Sequence, residues 1–370
     1  MKMEELKKKL KKKISDQGFD VFGFTAPNVD KITKKNYNEF LRKNYHGEMK
    51  WLERHYEKKT NPKKVWNEVK TVIVIGKNYA PSSNPLRLNK LKKIANISVY
   101  AQNYDYHNVI NQKLKIIQDW LMNEYKIHSK TFVDTSPIME KYFAQKAKIG
   151  WQGKHTNIVS KEFGSWLFLA EIFLPIIIRE DRNDLNDCGT CIKCLDICPT
   201  NAILKDNVID TRKCISYLTI EYKGPIPQSL RKKIGNKVYG CDDCLSICPW
   251  NKFSSATNDK KLQKKSDDKD LIFFLNFDED KFNKHFANSP INRIGWIRFL
   301  RNIIIASGNS NNKNLIEPLY KHLNNNNPII RGSCVWSLFQ LMGNKCREYL
   351  KSKLKSEKNK YVLFELDLFS

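Results

Sequence analysis

The sequence predicts an α+β multidomain protein, and three observations carry that class. Strand-like and helix-like patterns alternate through the first half, a cysteine-rich stretch occupies the middle, and the last quarter holds two helical copies about thirty residues apart. A chain of 370 residues is long enough for two or three such bodies at roughly 100–200 residues each.

The elements follow in chain order. Leu6, Leu10 and Ile14 fall at i, i+4 and i+8 of a lysine-rich N-terminal segment, the pattern of an amphipathic helix. Thr71–Gly76 reads as a buried strand and Trp166–Phe173 as another, with a helical pattern over His107–Tyr125 between them. Residues 1–180 therefore form a mixed α/β domain. Residues 181–253 are the cysteine-rich domain. The polar stretch Ser254–Asp270 opens a linker over 254–279. Within 280–370, the segment Arg301–Asn309 is echoed by Arg331–Phe339, and a leucine-rich pattern over Leu315–Leu323 separates them. Paired helices of HEAT-like repeat type explain this, with a generic helical bundle as the alternative.

Composition narrows the partners. The net charge is +26, from 65 basic and 39 acidic residues. Such an excess favours a polyanion, nucleic acid first, although a Lys-, Asn- and Ile-rich chain could also reflect codon bias. The most apolar run, Trp166–Ile178, is too short to span a bilayer and is broken by Glu171 and Pro175. The N-terminus has no apolar core of signal-peptide type, so the expected location is cytoplasmic, with no membrane partner. Ten cysteines in that reducing setting suggest metal binding rather than disulfides.

The cysteine spacing is the most specific signal in the chain. Cys188, Cys191, Cys194 and Cys198-Pro199 follow the C-x2-C-x2-C-x3-C-P run of two-cluster ferredoxins, in which the fourth cysteine serves the other cluster. The second run, Cys241, Cys244 and Cys248-Pro249, lacks its first cysteine, whose place is taken by Val238. Cys214 is the nearby thiol left to fill the gap. One [4Fe-4S] cluster then takes Cys188, Cys191, Cys194 and Cys248, and the other takes Cys198, Cys214, Cys241 and Cys244. Structural zinc also uses C-x2-C pairs, but seldom at x2-x2 spacing followed by C-P. Cys334 and Cys346, in the helical part, read as buried apolar residues. No G-x-G-x-x-G follows a strand, which leaves a dinucleotide site unsupported. No D-x-H-x-x-G supplies a lower axial histidine.

Further motifs carry a resemblance. Val133–Pro137, Gly150–Lys154, Gly164–Trp166, Tyr104–His107, Cys214–Glu221 and Gly240–Cys244 together resemble the epoxyqueuosine reductase family over nearly the whole chain. One position departs from it. The family usually places Asn after G-W-x-G-K, whereas His155 stands here.

The resemblance implies a cobalamin-binding domain at 1–180, a ferredoxin-like domain with two [4Fe-4S] clusters, and helical repeats that contact tRNA. It implies an oxidoreductase that reduces epoxyqueuosine to queuosine at the wobble position of tRNA, the final step of queuosine biosynthesis. It also implies cob(II)alamin as the second cofactor, an external electron donor, and a monomer that recognises the anticodon stem-loop. Asp134 matches the family's acid. Its place after Phe132-Val133 suggests a buried carboxyl with a raised pKa, while a cap on a helix starting at Ser136-Pro137 is the structural alternative. Tyr106, Gly150, Trp151, Gly153, Lys154, Asn157, Ser165 and Ser216 become candidate cobalamin contacts. Trp151 and Trp166 could equally be core aromatics. Arg298, Arg301 and Arg331 are candidate phosphate contacts. Two rival functions stay open: a cobalamin and iron–sulfur reductase of another substrate, as in reductive dehalogenases, and a non-catalytic iron–sulfur electron-transfer protein.

Overall fold

Every residue of Thr71–Asn78 is buried, which is what an uninterrupted apolar run requires of a strand covered on both faces. In the computed structural model, which describes residues 3–181, 187–264 and 267–368, this strand is β2. Its neighbours are β1 (Val21–Thr25) and β4 (Leu167–Leu174), and β3 (Lys130–Phe132) lies beyond β4. The order is β1-β2-β4-β3, antiparallel throughout, with Ile73 opposite Ile172 and Phe132 opposite Glu171.

The chain packs as two interleaved units. The first comprises residues through Ser83, Tyr104–Arg212 and Asp243–Gln263. The second comprises Asn84–Asn103, Lys213–Asp242 and the chain from Lys264. The units therefore do not follow the consecutive division 1–180, 181–253, 254–279 and 280–370 expected from sequence.

In the first unit, helix α1 (Met3–Asp16) buries Leu6, Leu10 and Ile14 as its periodicity requires. Lys7 is buried with them, and its ammonium donates to Arg179 O (2.5 Å) and pairs with Asp181 (2.9 Å). Helix α2 (Tyr106–Tyr125) starts where Asp105 accepts the His107 N–H, and it ends at Lys126 in the left-handed region. Helix α3 (Glu140–Lys146) presents Phe143 and Ala144 to a core that includes Val72, Val74, Ile149 and Phe173.

The second unit is mainly helical. Helix α4 (Gly295–Gly308) packs on α5 (Pro328–Met342), which packs on α6 (Lys360–Asp367). Phe282, Phe299, Leu300, Ile304, Leu319 and Leu338 fill the core. Cys334 and Cys346 are fully buried within it, as expected of apolar residues.

Two expectations need correction here. Residues 254–279 are not a free spacer. In the first unit the Thr257 N–H donates to Ala80 O (2.9 Å) and Asp259 pairs with Lys113 (2.9 Å), while in the second Leu271, Phe274 and Leu275 are core residues. The polar side chains that suggested a linker are used in local turns, such as Gln263 donating to Thr257 O.

The arginines proposed for phosphate contact are also engaged internally. Arg301 is 0% exposed and donates to Leu218 O, Tyr222 O, Gly224 O and Asn302 Oδ1. Arg298 donates to Ile294 O and Ile220 O, and Arg331 is paired with Glu357 at 2.6 Å. A guanidinium spreads five donors in a plane, so it can satisfy several carbonyls where a lysine could not.

Candidate active site and cluster cradle

Asp134 follows β3 at a residue with φ +49°, a backbone conformation that turns the chain sharply. Its backbone N–H donates to Glu140 Oε1 (2.6 Å) at the start of α3. Its carboxylate does not cap a helix, because α3 begins six residues later with Met139 at the cap position. Instead Asp134 Oδ2 accepts from the Tyr106 hydroxyl (2.5 Å) and faces His107 Nε2 (3.3 Å). His107 Nδ1 meets Asp105 Oδ1 (2.7 Å). One imidazole therefore bridges two carboxylates. An aromatic stack runs through the group: Tyr106 lies 4.1 Å from His107 and 4.1 Å from Phe168, which stacks on Tyr79.

This geometry overturns the expected pKa of Asp134. Desolvation pushes the carboxyl up, but hydrogen bonds from His107 and Tyr106 outweigh it and hold the group below its ordinary value. The side chain remains 57% exposed. His107 moves the opposite way. Burial pulls the imidazole down, but Asp105 and Asp134 together hold it above the usual histidine value. The raised carboxyls lie behind. Burial and the Asp134 charge push Glu140 up to about 8. Glu171, fully buried in β4, is pushed well up by burial and by Glu140. Neither Glu171 oxygen has a hydrogen-bond partner among the described residues. Lys59, which donates to Ile138 O (3.2 Å), is pulled down by burial.

A second cluster of side chains surrounds a cavity in the same unit. Cys188, Cys191, Cys194 and Cys248 line it, with His155, Lys193, Pro249 and Trp250. This is the four-cysteine set that spacing assigned to one cluster. Four thiols lining one cavity match the four-thiolate donor set of a [4Fe-4S] cluster. Burial pushes the Cys194 thiol up to about 11, and the neighbouring Cys188, Cys248 and Cys191 add to that. Burial likewise raises Cys248, while the Trp250 backbone and the Ser165 side chain pull it the other way. Such groups bind as thiolates when a metal replaces the proton.

The other cysteines are placed one by one. Cys198 Sγ accepts the Ala202 N–H (3.3 Å). Cys214 occupies the N-cap position of the short helix Ile215–Ile220. Cys241 and Cys244, both half-buried, flank the start of Asp243–Ser246.

The candidate cobalamin contacts separate into groups. Tyr106 joins Asp134. Asn157 accepts from Lys141 (2.7 Å), whose charge also acts on Asp134. Lys154 pairs with Asp206 (3.2 Å). Trp151 belongs to the cluster cradle: its indole N–H donates to Cys188 Sγ (3.4 Å), and its ring packs edge-on against Trp250. Ser165 lies 3.3 Å from His155 Nε2, and its N–H donates to Asn251 Oδ1 (2.9 Å). Trp166 is a buried aromatic against Tyr79, the core reading of that residue. Gly150 and Gly153 are required by the hairpin Trp151–Gln152/Ile158–Val159 itself. A Cβ on Gly150 would lie 2.1 Å from Val159 O, and one on Gly153 2.7 Å from Val159 Cγ2 and 3.1 Å from His155 Cε1. Ser216 lies in the second unit.

Sequence reasoning missed Asp105, His107, Glu140, Lys59, Lys141 and Glu171 as parts of the Asp134 group. The D-x-H pair at 105 and 107 was visible, and so was a glutamate inside the otherwise apolar run of β4.

Comparison with known proteins points to one family. A family profile described as Epoxyqueuosine reductase QueG matches residues 59–135, and one described as a 4Fe-4S double cluster binding domain matches 187–251, a span that runs from before Cys188 to beyond Cys248. The chain is 37% identical to the epoxyqueuosine reductase of Vibrio cholerae over 87% of this chain and 89% of that one. It is 36% identical to that of Escherichia coli over 91% and 90%. Among solved structures, an epoxyqueuosine reductase crystallised with an epoxyqueuosine-modified tRNA-Tyr stem loop matches with a TM-score of 0.88 at 27% identity, covering 99% of this chain and 98% of that one. One from Bacillus subtilis, described with its catalytic aspartate loop swung out of the active site, matches with a TM-score of 0.89 at 26% identity over 99% and 98%.

Proposed function

The chain belongs to the epoxyqueuosine reductase family, and from that premise we propose how its own residues divide the work. The protein reduces epoxyqueuosine in tRNA to queuosine. Two electrons and two protons convert the epoxide to an alkene, and its oxygen leaves as water. The observation that carries the assignment of roles is the Asp134 carboxylate, turned out by a left-handed residue and backed by Tyr106 and His107.

Asp134 is the group that meets the departing oxygen, and it acts together with His107. Asp105 and Asp134 both favour the protonated ring of His107, so the imidazole can hold a proton and pass it to the substrate through Asp134. Tyr106 fixes the orientation of the carboxylate. Glu140 holds the Asp134 backbone in place.

Cobalamin, as cob(II)alamin, would supply a cobalt centre able to take up electrons singly for the reduction. The residues fit such a ligand. Asn157, Lys141 and Gln152 offer amide and ammonium groups suited to its amide rim, beside an exposed carboxylate. Tyr106, Lys154 and Ser216 remain candidate contacts.

The double-cluster domain holds two [4Fe-4S] clusters. We assign Cys188, Cys191, Cys194 and Cys248 to one, on the cradle they line, and Cys198, Cys214, Cys241 and Cys244 to the other, on spacing. The packing of α4 against α5, which carry the two sequence copies, supports reading the C-terminal helices as HEAT-like repeats. Among the described residues no helix is long and apolar enough to cross a membrane. A monomer in the cytoplasm, fed by an external electron donor and binding an anticodon stem-loop, completes the proposal.

The test is anaerobic purification with added cobalamin, followed by single-turnover reduction of epoxyqueuosine-containing tRNA. Conversion, a corrinoid absorption band and iron for two clusters are expected. Clusters with neither the band nor conversion would leave an electron-transfer protein. Cys214→Ala should lose about half of the iron, since each cluster takes four cysteines; full iron content in that variant would overturn its ligand role.

A further inference from the structure

Reduction of the epoxide consumes two protons, and the roles assigned above account for one, held on His107. A second acid has to stand close by. Glu140 is the first residue of α3, six positions after Asp134. Its Oε1 accepts the Asp134 N–H (2.6 Å), which joins the two residues at the turn that presents the Asp134 carboxylate. That is the one hydrogen bond of Glu140 among the described residues, so Oε2 is left for a proton. The neighbouring ammonium groups are turned to other acceptors: Lys59 donates to Ile138 O (3.2 Å) and Lys141 to Asn157 Oδ1 (2.7 Å). Behind Glu140, α3 covers a sheet face whose core includes Val72, Val74, Phe143 and Phe173. Glu171 stands on that face, opposite Val74 on β2 and opposite Phe132 on β3. Neither of its oxygens has a partner among the described residues, so an ionised Glu171 would be a bare charge in an apolar layer. Carboxyls packed this way do not all ionise. Burial and the Asp134 charge hold Glu140 up to about 8, while Asp134 in front stays ionised. Two linked carboxyls whose proton affinities are driven apart make one the store and the other the delivery group.

We infer that Glu140 carries the second proton of the reduction and passes it through Asp134 to the oxygen that leaves as water. The first proton, from His107, goes to the epoxide oxygen as one carbon–oxygen bond breaks and leaves a hydroxyl. The second, from Glu140, converts that hydroxyl to water as the other carbon–oxygen bond breaks. The two electrons of the reduction become the π bond of the alkene, so atoms and charge balance. Glu140 is left as a carboxylate. It is half-buried rather than sealed, and it takes its proton back from solvent between turnovers. Glu140 acts through Asp134, so it is a positioning residue for the second proton and does not itself meet the substrate.

The inference rests on Asp134 as the delivery group, and the experiment separates the two. The full-length protein, loaded with both clusters and cobalamin and free of tRNA, is titrated with pH and followed by infrared difference spectroscopy in H2O and D2O. A protonated-carboxyl band that shifts in D2O and fades around pH 8 is expected. Glu140→Gln should remove it. Asp134→Asn should move its fading to lower pH, because the Asp134 charge is part of what raises Glu140. A band that persists in Glu140→Gln, or an unmoved midpoint in Asp134→Asn, would each overturn the inference, and the second arm stands even if Glu140→Gln does not fold. Single-turnover reduction of epoxyqueuosine-containing tRNA completes the test. Glutamine still accepts the Asp134 N–H, so a purely structural Glu140 would leave turnover near normal in Glu140→Gln. The expected result is a loss of at least about a hundredfold at neutral pH. A near-normal Glu140→Gln beside a slow Asp134→Asn overturns the inference alone. A near-normal Asp134→Asn overturns the role given to Asp134.

Discussion

The two units bury charge in opposite ways. In the helical unit, Arg231 is enclosed with Glu365 at 2.6 Å, and its remaining donors reach Ile226 O and Tyr361 Oη. Arg301 is equally buried and spends its donors on three carbonyls and Asn302. In the sheet-containing unit, Glu171 is buried with no hydrogen-bond partner among the described residues, and Glu140 is pushed up to about 8 next to an ionised Asp134. The difference separates architecture from chemistry. A buried charge whose lone pairs and protons are all matched holds elements together. Carboxyls crowded together with too few partners keep protons near neutrality, a condition that a protonation reaction needs.

The largest effect should come from breaking a matched pair. Arg231→Met leaves Glu365 buried without its partner and should cost about 3–5 kcal/mol in urea denaturation. A loss under about 1 kcal/mol would show that the pair is dispensable. Next is Asp134→Asn, which keeps size and hydrogen bonding but cannot pass a proton. Single-turnover reduction should fall by at least about a hundredfold with clusters and fold intact. Near-normal turnover would remove Asp134 from the chemistry.

A smaller effect is expected on stability against pH. Glu140 holds its proton in the folded protein up to about 8, above its ordinary value of 4.5. The stability it contributes is full below 4.5 and is lost as pH rises to about 8. The melting temperature should therefore decline over that window and level off beyond it, and Glu140→Gln should flatten the decline. An identical profile in the variant would show that Glu140 is not the group responsible. The smallest effect should come from Arg298→Ala. If this arginine serves the fold, the salt dependence of tRNA binding will keep its slope. A slope reduced by about one unit would return it to the phosphate contacts.

How much of this was legible depended on whether a residue's role is written in its neighbours. Cysteine ligands are local, and their spacing alone specified the set that lines the cradle. The strands at 71–78 and 167–174 were legible for the same reason, since burial on both faces demands an unbroken apolar run. Asp134 could be found by resemblance, but its protonation could not. That depends on Tyr106 and His107, which are 28 residues or fewer away in sequence but reach it only once α2 is docked. Arg301 misled for the converse reason. It precedes Asn302 and three isoleucines, and nothing local distinguishes an arginine that meets phosphate from one that closes on the carbonyls of residues 218–224.

The interleaving of the units also governs how the chain must fold. The first unit is not complete until residue 263 has been made, and by then two of the three segments of the second have already been synthesised. Neither can finish as a contiguous stretch behind the translating end. Each must close loops around pieces of the other, which slows the search and keeps unpaired segments waiting. Cutting the gene into halves would leave two incomplete cores. A fault after residue 263, by contrast, would spare every segment of the sheet unit and truncate the helical one alone.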